Sequence, residues 1–201
     1  MRNSFLMLLF LSITLQVNAT QGKDNLETIT LGAGCFWCVE AVYQELNGVE
    51  TAVSGYLGGH VDDPSYKAVC AGNTGHAEVV QLTFDNSIIS LEEILEVFFQ
   101  VHDPTTLNRQ GADIGTQYRS AIFYENDEQK EIALKLKRAL SVAKVWENAI
   151  VTEVSLASTF YKAENYHQDY YAINGNNNPY CSMVITPKIE KFRKVFEEKL
   201  K

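Results

Sequence analysis

Two thiols stand three residues apart in Gly34-Cys35-Phe36-Trp37-Cys38, with two large aromatic side chains between them. A thiolate is a strong nucleophile, and a second thiol about one helical turn away suits a redox pair, because it can condense with the first once that has been oxidised. The flanking residues indicate how Cys35 becomes reactive. Thr28-Ile29-Thr30-Leu31 alternates polar and apolar residues as a strand does, Gly32 and Gly34 permit a tight turn, and Val39, Val42, Tyr43 and Leu46 recur at helical spacing. Cys35 is therefore expected at or just before the first turn of a helix. Unpaired backbone N–H groups and the positive end of the helix dipole lie there, and both favour a thiolate.

The elements that must position this pair follow from periodicity and turn signals. Val49 to Tyr56 is predicted as a strand that breaks at Gly55, Gly58 and Gly59, and Asp62-Asp63-Pro64-Ser65 is a turn. Tyr66 to Cys70 is a short helical or extended piece. Glu78 to Phe84 is a strand with Val80, Leu82 and Phe84 on one face. Ser90 and Glu93 form a capping box before a helix striped by Leu91, Ile94, Leu95, Phe98 and Val101, which stops near Asp103-Pro104. Residues 103–116 are a polar loop. Gln117 to Tyr124 is a strand with Tyr118, Ser120, Ile122 and Tyr124 sharing a face. Asp127 caps a long helix, Ala149 to Val154 is a further strand, and Ala163 to Ala172 is an aromatic helix. A flexible asparagine-rich stretch, Asn174 to Pro179, precedes a last helix that Thr186-Pro187 starts, striped by Ile189, Phe192, Phe196 and Leu200. This order predicts one α+β domain with a mixed sheet, helices packed on it, and a split βαβ arrangement.

Composition bounds the function class. Of 201 residues, 46% are hydrophobic and 21% charged, which is ordinary for a globular chain with a sizeable core. The net charge of −8, with no basic stripe, argues against a nucleic-acid partner. Residues 1–19 do not read as fold. Arg2 is followed by an apolar run from Phe5 to Leu15, too short for a comfortable membrane span, and Val17-Asn18-Ala19 offers small residues for a signal peptidase. A secretory signal cleaved after Ala19 is expected, leaving residues 20–201 as the mature domain with a net charge of −9, no membrane insertion and export to an oxidising compartment. In a Gram-negative host that compartment is the periplasm.

With these elements in place, the motifs resemble those of the peptide methionine sulfoxide reductase A family. The resemblance is carried by Gly34-Cys35-Phe36-Trp37-Cys38, Ser54-Gly55-Tyr56, Gly58-Gly59-His60, Tyr66 and Gly75-His76-Ala77-Glu78. It continues through His102-Asp103-Pro104, Gly115-Thr116-Gln117-Tyr118-Arg119-Ser120 and Tyr166-His167-Gln168. It implies a ferredoxin-like βαβ core and thiol-dependent reduction of methionine (S)-sulfoxide, free or in proteins, in repair of oxidised exported proteins. Cys35 is then the nucleophile. Glu78 is the acid that protonates the departing oxygen, and Tyr66 and Tyr118 hold that oxygen. Asp113 takes the family's acidic loop position, and Phe36 and Trp37 line the pocket for the sulfur-bound methyl. The alternation of the 78–84 strand independently points Glu78 inward with Val80, where desolvation raises a carboxyl pKa.

The resemblance implies no cofactor and no metal, a thioredoxin-like reductant, and a protein working as a monomer. Attack leaves Cys35 as a sulfenic acid, which a second thiol resolves. Cys38 and Cys181 are the candidates. Residues three apart on a helix have Cβ atoms roughly 5–6 Å apart, whereas a disulfide needs about 3.5–4.5 Å, so Cys181, beyond the asparagine stretch, is favoured. This chain departs from family members that end in a glycine-rich tail with two cysteines. Cys70, among apolar neighbours, is expected to be structural. Two rivals are a four-thiolate zinc site from Cys35, Cys38, Cys70 and Cys181, which lacks the second C-x₂-C pair, and a thioredoxin-like oxidoreductase, which leaves the glutamate and tyrosine motifs without a role.

Overall fold

The computed structural model describes residues 25–175 and 177–201; the expected signal, 1–19, lies outside them. Strand β1 (Leu26–Ala33) leads through Gly34 into α1 (Phe36–Tyr43), and β2 (Val49–Leu57) follows. A short α2 (Tyr66–Cys70) precedes β3 (Ala77–Asp85) and α3 (Leu91–Val101). A small hairpin, β4 (Arg109–Gln110) with β5 (Asp113–Ile114), then leads to β6 (Ser120–Tyr124), α4 (Asp127–Val142), β7 (Glu153–Leu156) and β8 (Tyr161–Lys162). Two helices close the chain, α5 (Tyr170–Asn174) and α6 (Thr186–Val195).

The main sheet runs β7-β6-β1-β3-β2-β8. β3 is antiparallel to both β1 and β2, so these two run parallel with β3 between them. β6 is antiparallel to β1 and parallel to β7. With α1 crossing from β1 to β2 and α3 from β3 to β6, the four central strands form the expected ferredoxin-like split βαβ core inside a mixed sheet.

One sheet face carries the main core. Ile29 and Leu31 of β1, Val80, Leu82 and Phe84 of β3 and Ile122 of β6 meet Val39, Val42 and Tyr43 of α1 and Ile94, Leu95 and Phe98 of α3 there, all fully or almost fully buried. The opposite face holds a smaller cluster of Leu57, Ala77, Val79, Ala121 and Phe123, with Phe160 against it. Pleat alternation therefore puts Glu78 on the helix-bearing face with Val80, as the sequence predicts.

The helix ends are fixed by side chains. Ser90 and Glu93 make the expected capping box. At the other end of α3, His102 Nδ1 donates to the Phe98 carbonyl at 2.5 Å while Nε2 meets Ser120 Oγ of β6 at 2.7 Å, tying helix to strand. Burial pulls the His102 pKa down to about 4, so the ring is neutral and can serve both contacts.

Several boundaries differ from the sequence reading. Asn126, not Asp127, caps α4, because its Oδ1 reaches the Gln129 N–H at 2.9 Å. Residues 116–118 form a 3₁₀ turn, so Tyr118 leaves the face that Ser120, Ile122 and Tyr124 share. The strand expected at 149–154 is displaced to Glu153–Leu156, since the Val151 N–H donates to the Pro104 carbonyl instead of to a strand. The aromatic helix expected at 163–172 is a 3₁₀ turn (Asn165–His167) and then α5, separated by Asp169 in the left-handed region at φ 53°. Thr186 does not cap α6. A π-helical turn over Cys181–Ile185 runs directly into it, and the Thr186 hydroxyl meets that of Tyr171 at 3.0 Å. In the asparagine stretch, Asn178 is tied at both ends, accepting from the Tyr180 N–H and donating to the Tyr170 hydroxyl, each at 2.8 Å.

The turn before Cys35 is the tightest constraint near the helix start. Gly34 has φ +90°, and a Cβ there would lie 2.6 Å from the Gln110 side chain. Gln110 is itself held, accepting from the Asp103 N–H and donating to the Asp103 carbonyl. Gly34→Ala is expected to destabilise the fold by about 1–3 kcal/mol. A urea midpoint unchanged from wild type would show that the turn and Gln110 yield at no cost.

Candidate active site

Cys35 occupies the N-cap of α1 with φ −56° and ψ 121°, so its backbone is still extended when the helix begins. The first helical amide, Phe36 N–H, donates to Glu78 Oε2 at 3.2 Å, which places the carboxyl beneath the helix start. Glu78 is 1% exposed. Its pKa is pushed up to about 8: burial is the dominant cause, the Phe36 N–H opposes it, and the nearby Asp113 and Cys38 add to the rise. Burial outweighs the helix amide, so the carboxyl keeps its proton at neutral pH.

The helix start does not by itself make Cys35 a thiolate. Its hydrogen bond with Cys38, its own burial and the charges of Cys38 and Glu78 push the Cys35 thiol well up, against a lowering contact from the Tyr180 hydroxyl. Within the pair Cys38 is the more acidic, because its hydrogen bond with Cys35 and the Lys188 ammonium favour its charged form. The extended N-cap backbone turns Cys35 away from a regular helical position, and the two sulfurs meet. The Cys38 thiol thus stands within hydrogen-bonding reach of Cys35. All four cysteines are free thiols. Cys181 is fully buried, and burial, then the Cys38 charge, push its thiol pKa up.

The phenols expected at the site are half-buried. Burial raises the pKa of both Tyr66 and Tyr118, with Glu78 among the charges that add to it, so both are O–H donors at any neutral pH. Tyr66 starts α2, where the Ser65 hydroxyl accepts from the Ala68 N–H at 3.3 Å. Its hydroxyl meets the Cys70 thiol. Cys70 is exposed rather than part of the core, a correction to the structural role expected for it. Asp113 arrives on the β4–β5 hairpin and accepts from the Tyr180 hydroxyl at 2.8 Å. That same hydroxyl touches both Cys35 and Cys38, so Tyr180 covers the thiols.

Phe36 and Trp37 divide as two adjacent aromatics must. Phe36 is buried, 5.9 Å from Tyr56 and 6.5 Å from Tyr66 between ring centroids. Trp37 is partly exposed, stacked on Tyr170 at 3.6 Å and edge-on to Tyr180 at 6.1 Å. The result is an aromatic wall beside Cys35, suited to a small apolar group. Among the described residues, no group of three or more His, Cys, Asp or Glu side chains is placed to hold a metal ion.

Several functional neighbours were not identified from the sequence. Tyr180 was hidden beside the better signal of Cys181. Glu164 gave no signal, yet it accepts from the Tyr66 N–H and the Tyr56 hydroxyl, each at 2.9 Å. Glu40, beside the α1 stripe, gave no signal either. It is buried with Oε1 unpaired, and burial, then the Asp169 charge, push its pKa up to about 7.

The sequence matches the family described as Peptide methionine sulfoxide reductase over residues 27–200. The chain belongs to this family. It is 56% identical over 176 residues to "Peptide methionine sulfoxide reductase MsrA" of Saccharolobus solfataricus, covering 88% of this chain and 98% of that one. In structure it is similar to Mxr1 from Saccharomyces cerevisiae in reduced form, with TM-score 0.71, 36% identity, and coverage of 78% of this chain and 90% of the other. A lesser likeness, TM-score 0.51 at 25% identity over 74% of this chain and 87% of that one, is to Mxr1 in complex with Trx2.

The two upward-shifted carboxyls predict a pH signature in stability. Folded Glu78 and Glu40 titrate at about 8 and about 7, above the ordinary 4.5, so the folded protein binds their protons more tightly than the unfolded chain. Their contribution is therefore present at low pH and is lost as pH rises from the ordinary carboxyl range through these values. Glu78→Gln removes the larger titration. Its urea midpoint relative to wild type is expected to be higher at about pH 9 than at about pH 4. The same difference at both pH values would show that Glu78 is not shifted.

Proposed function

We propose that the protein reduces methionine (S)-sulfoxide, free or within proteins, to methionine, with Cys35 as nucleophile and Glu78 as acid. As a member of its family the chain is a peptide-methionine (S)-S-oxide reductase. The observation that carries the mechanism is the buried Glu78 carboxyl beneath the Cys35 helix start, protonated below about pH 8.

Tyr180 swings off the thiols and the sulfoxide takes its place, with the methyl on sulfur against Phe36 and Trp37. Its oxygen accepts hydrogen bonds from the Glu78 carboxyl and from the Tyr66 and Tyr118 phenols. A neutral Glu78 also removes a negative charge that opposes ionisation of Cys35. The Cys35 sulfur attacks the substrate sulfur, the oxygen takes a proton from Glu78, and Cys35 gives up its own proton, restoring the acid. The attack forms a sulfur–sulfur bond; the protonated oxygen then leaves with the sulfur–oxygen electron pair and adds to the Cys35 sulfur, and the sulfur–sulfur bond breaks with its pair left on the sulfide. Methionine departs, and the oxygen stays on Cys35 as a sulfenic acid.

Cys38 condenses with that sulfenic acid and releases water, because it is the thiol that hydrogen-bonds with Cys35. Cys181 exchanges next, attacking the Cys38 sulfur and freeing Cys35. A thioredoxin-like dithiol reduces the last disulfide and is itself oxidised. The solved complex of yeast Mxr1 with Trx2 supports that class of reductant. The protein works as a monomer outside the cytoplasm, after loss of residues 1–19, where it repairs oxidised exported proteins with a reductant of that compartment.

The direct test is turnover of the two separated sulfoxide epimers with dithiothreitol. The S epimer is expected to be consumed and the R epimer spared. Cys35→Ser is expected to abolish turnover, and Glu78→Gln to slow it roughly 10²–10⁴-fold. Wild-type turnover should fall as pH rises through about 8, where Glu78 loses its proton. Turnover by Cys35→Ser would end the mechanism.

The order of the thiols is tested separately by mass spectrometry after one equivalent of substrate without reductant. Cys38→Ser is expected to trap the Cys35 sulfenic acid, and Cys181→Ser to stop at a Cys35–Cys38 disulfide. A Cys35–Cys181 disulfide formed at the wild-type rate in Cys38→Ser would remove Cys38 from the first step.

A further inference from the structure

We infer that His167 is a positioning residue that sets the rotation of the Trp37 indole, and thereby which alkyl group on sulfur the site accepts. This rests on the reductase reading above. The Trp37 Nε1–H, the only polar atom of that ring, donates to His167 Nδ1 at 3.1 Å. Stacking of Trp37 on Tyr170, with planes 7° apart, fixes the plane of the indole but leaves it free to slide and turn within that plane. The directional N–H bond removes that freedom.

The His167 side is itself locked. The ring is 1% exposed and wedged by Tyr166 at 4.2 Å, Tyr66 at 4.4 Å and Phe36 at 5.1 Å. Because Nδ1 accepts, the ring proton sits on Nε2, which is buried with no hydrogen-bond partner. The nearest carboxylate oxygen, Glu164 Oε2, is 3.9 Å away. A phenylalanine would fill this volume without leaving a buried N–H unpaired, so packing alone does not account for histidine. The acceptor at Nδ1 does.

The turn that carries His167 also registers the other half of the site. Glu164, at the start of the Asn165–His167 turn, holds the Tyr66 backbone at 2.9 Å. One short turn thus fixes an oxygen-side donor and the methyl-side wall relative to each other. Small displacements of the indole should therefore change the space left for the alkyl group while Tyr66 stays in place.

The test compares His167→Phe, His167→Asn and His167→Gln in a Trp146→Phe background, which leaves Trp37 as the one tryptophan. Asparagine Oδ1 reaches near the Nδ1 position, whereas the glutamine oxygen reaches towards Nε2. For a methyl sulfoxide, His167→Phe is expected to lose roughly 10–100-fold in kcat/KM, the effect of leaving one buried donor unpaired. The preference for methyl over ethyl sulfoxide should narrow with it. His167→Asn should restore most of both, and His167→Gln should not. In ¹⁵N-labelled protein the Trp37 indole N–H resonance should move upfield in the Phe and Gln variants and return in the Asn variant.

Wild-type selectivity together with an unmoved indole resonance in His167→Phe would overturn the proposal, as would equal rescue by asparagine and glutamine. If the parent protein reduced no sulfoxide, the reductase reading would fail, and the indole resonance would still decide whether His167 holds Trp37.

Discussion

The hydrogen bond from the Phe36 amide to the Glu78 carboxyl is the contact on which the site depends. It joins residues 42 positions apart, the first turn of α1 and the start of β3, and so brings the acid to the turn that Cys35 begins. It also decides which group receives the helix N-terminus. A free first-turn amide would favour charge on the neighbouring thiol. Here that amide is spent on the carboxyl, where it only partly offsets burial, and the carboxyl still titrates at about 8. The pair is thus poised as acid and thiol rather than as carboxylate and thiolate. A Glu78 carboxylate would raise the Cys35 thiol pKa further, so the proton held on the carboxyl spares the thiol that penalty.

The thiols are ordered by the backbone at Cys35. An N-cap residue has one foot outside the helix, and its extended ψ lets its sulfur meet that of Cys38 in the first turn. Lys188, from α6, biases charge towards Cys38, and Cys181 opens the π-helical turn before α6. Extra backbone in a π-turn is common at functional sites because it re-aims a side chain without ending the helix. Tyr180 precedes that turn, and its hydroxyl bridges Asp113 and the thiols.

The segment from Ala163 to Tyr170 acts as a strap across the sheet edge. Gln168 behaves like a strand in miniature: its Oε1 accepts from the Ser54 N–H at 3.1 Å, and its Nε2 donates to the Ser54 and Ala163 carbonyls at 3.0 and 2.9 Å. Two of these bonds pair backbone at the β2 edge, and the Ser54 carbonyl also accepts from the Ala163 N–H at 3.0 Å. Glu164 on Tyr56 and Tyr66 and His167 on Trp37 reach back from the strap to the wall of the site.

What the sequence alone determined is what depends on neighbours along the chain. Periodicity of 2 and 3.6 placed β1, α1, β3 and α3. The Ser90–Glu93 box capped α3 as read, and the inward face of Glu78 followed from strand alternation with Val80. Those signals are local, and burial of one face enforces them. The tertiary structure decided everything that depends on a distant partner. Residues 163–172 have helical composition, but Glu164 and Gln168 are spent on α2 and β2, so the helix is interrupted. Tyr118 left its strand face in a 3₁₀ turn, and Thr186 gave up its cap to a π-turn. The acidity of Cys35 could not be read from its helix position, because the amide that would have lowered its pKa bonds a carboxyl supplied by β3. A pKa is set by desolvation and by charges in space, and neither is written in the order of residues.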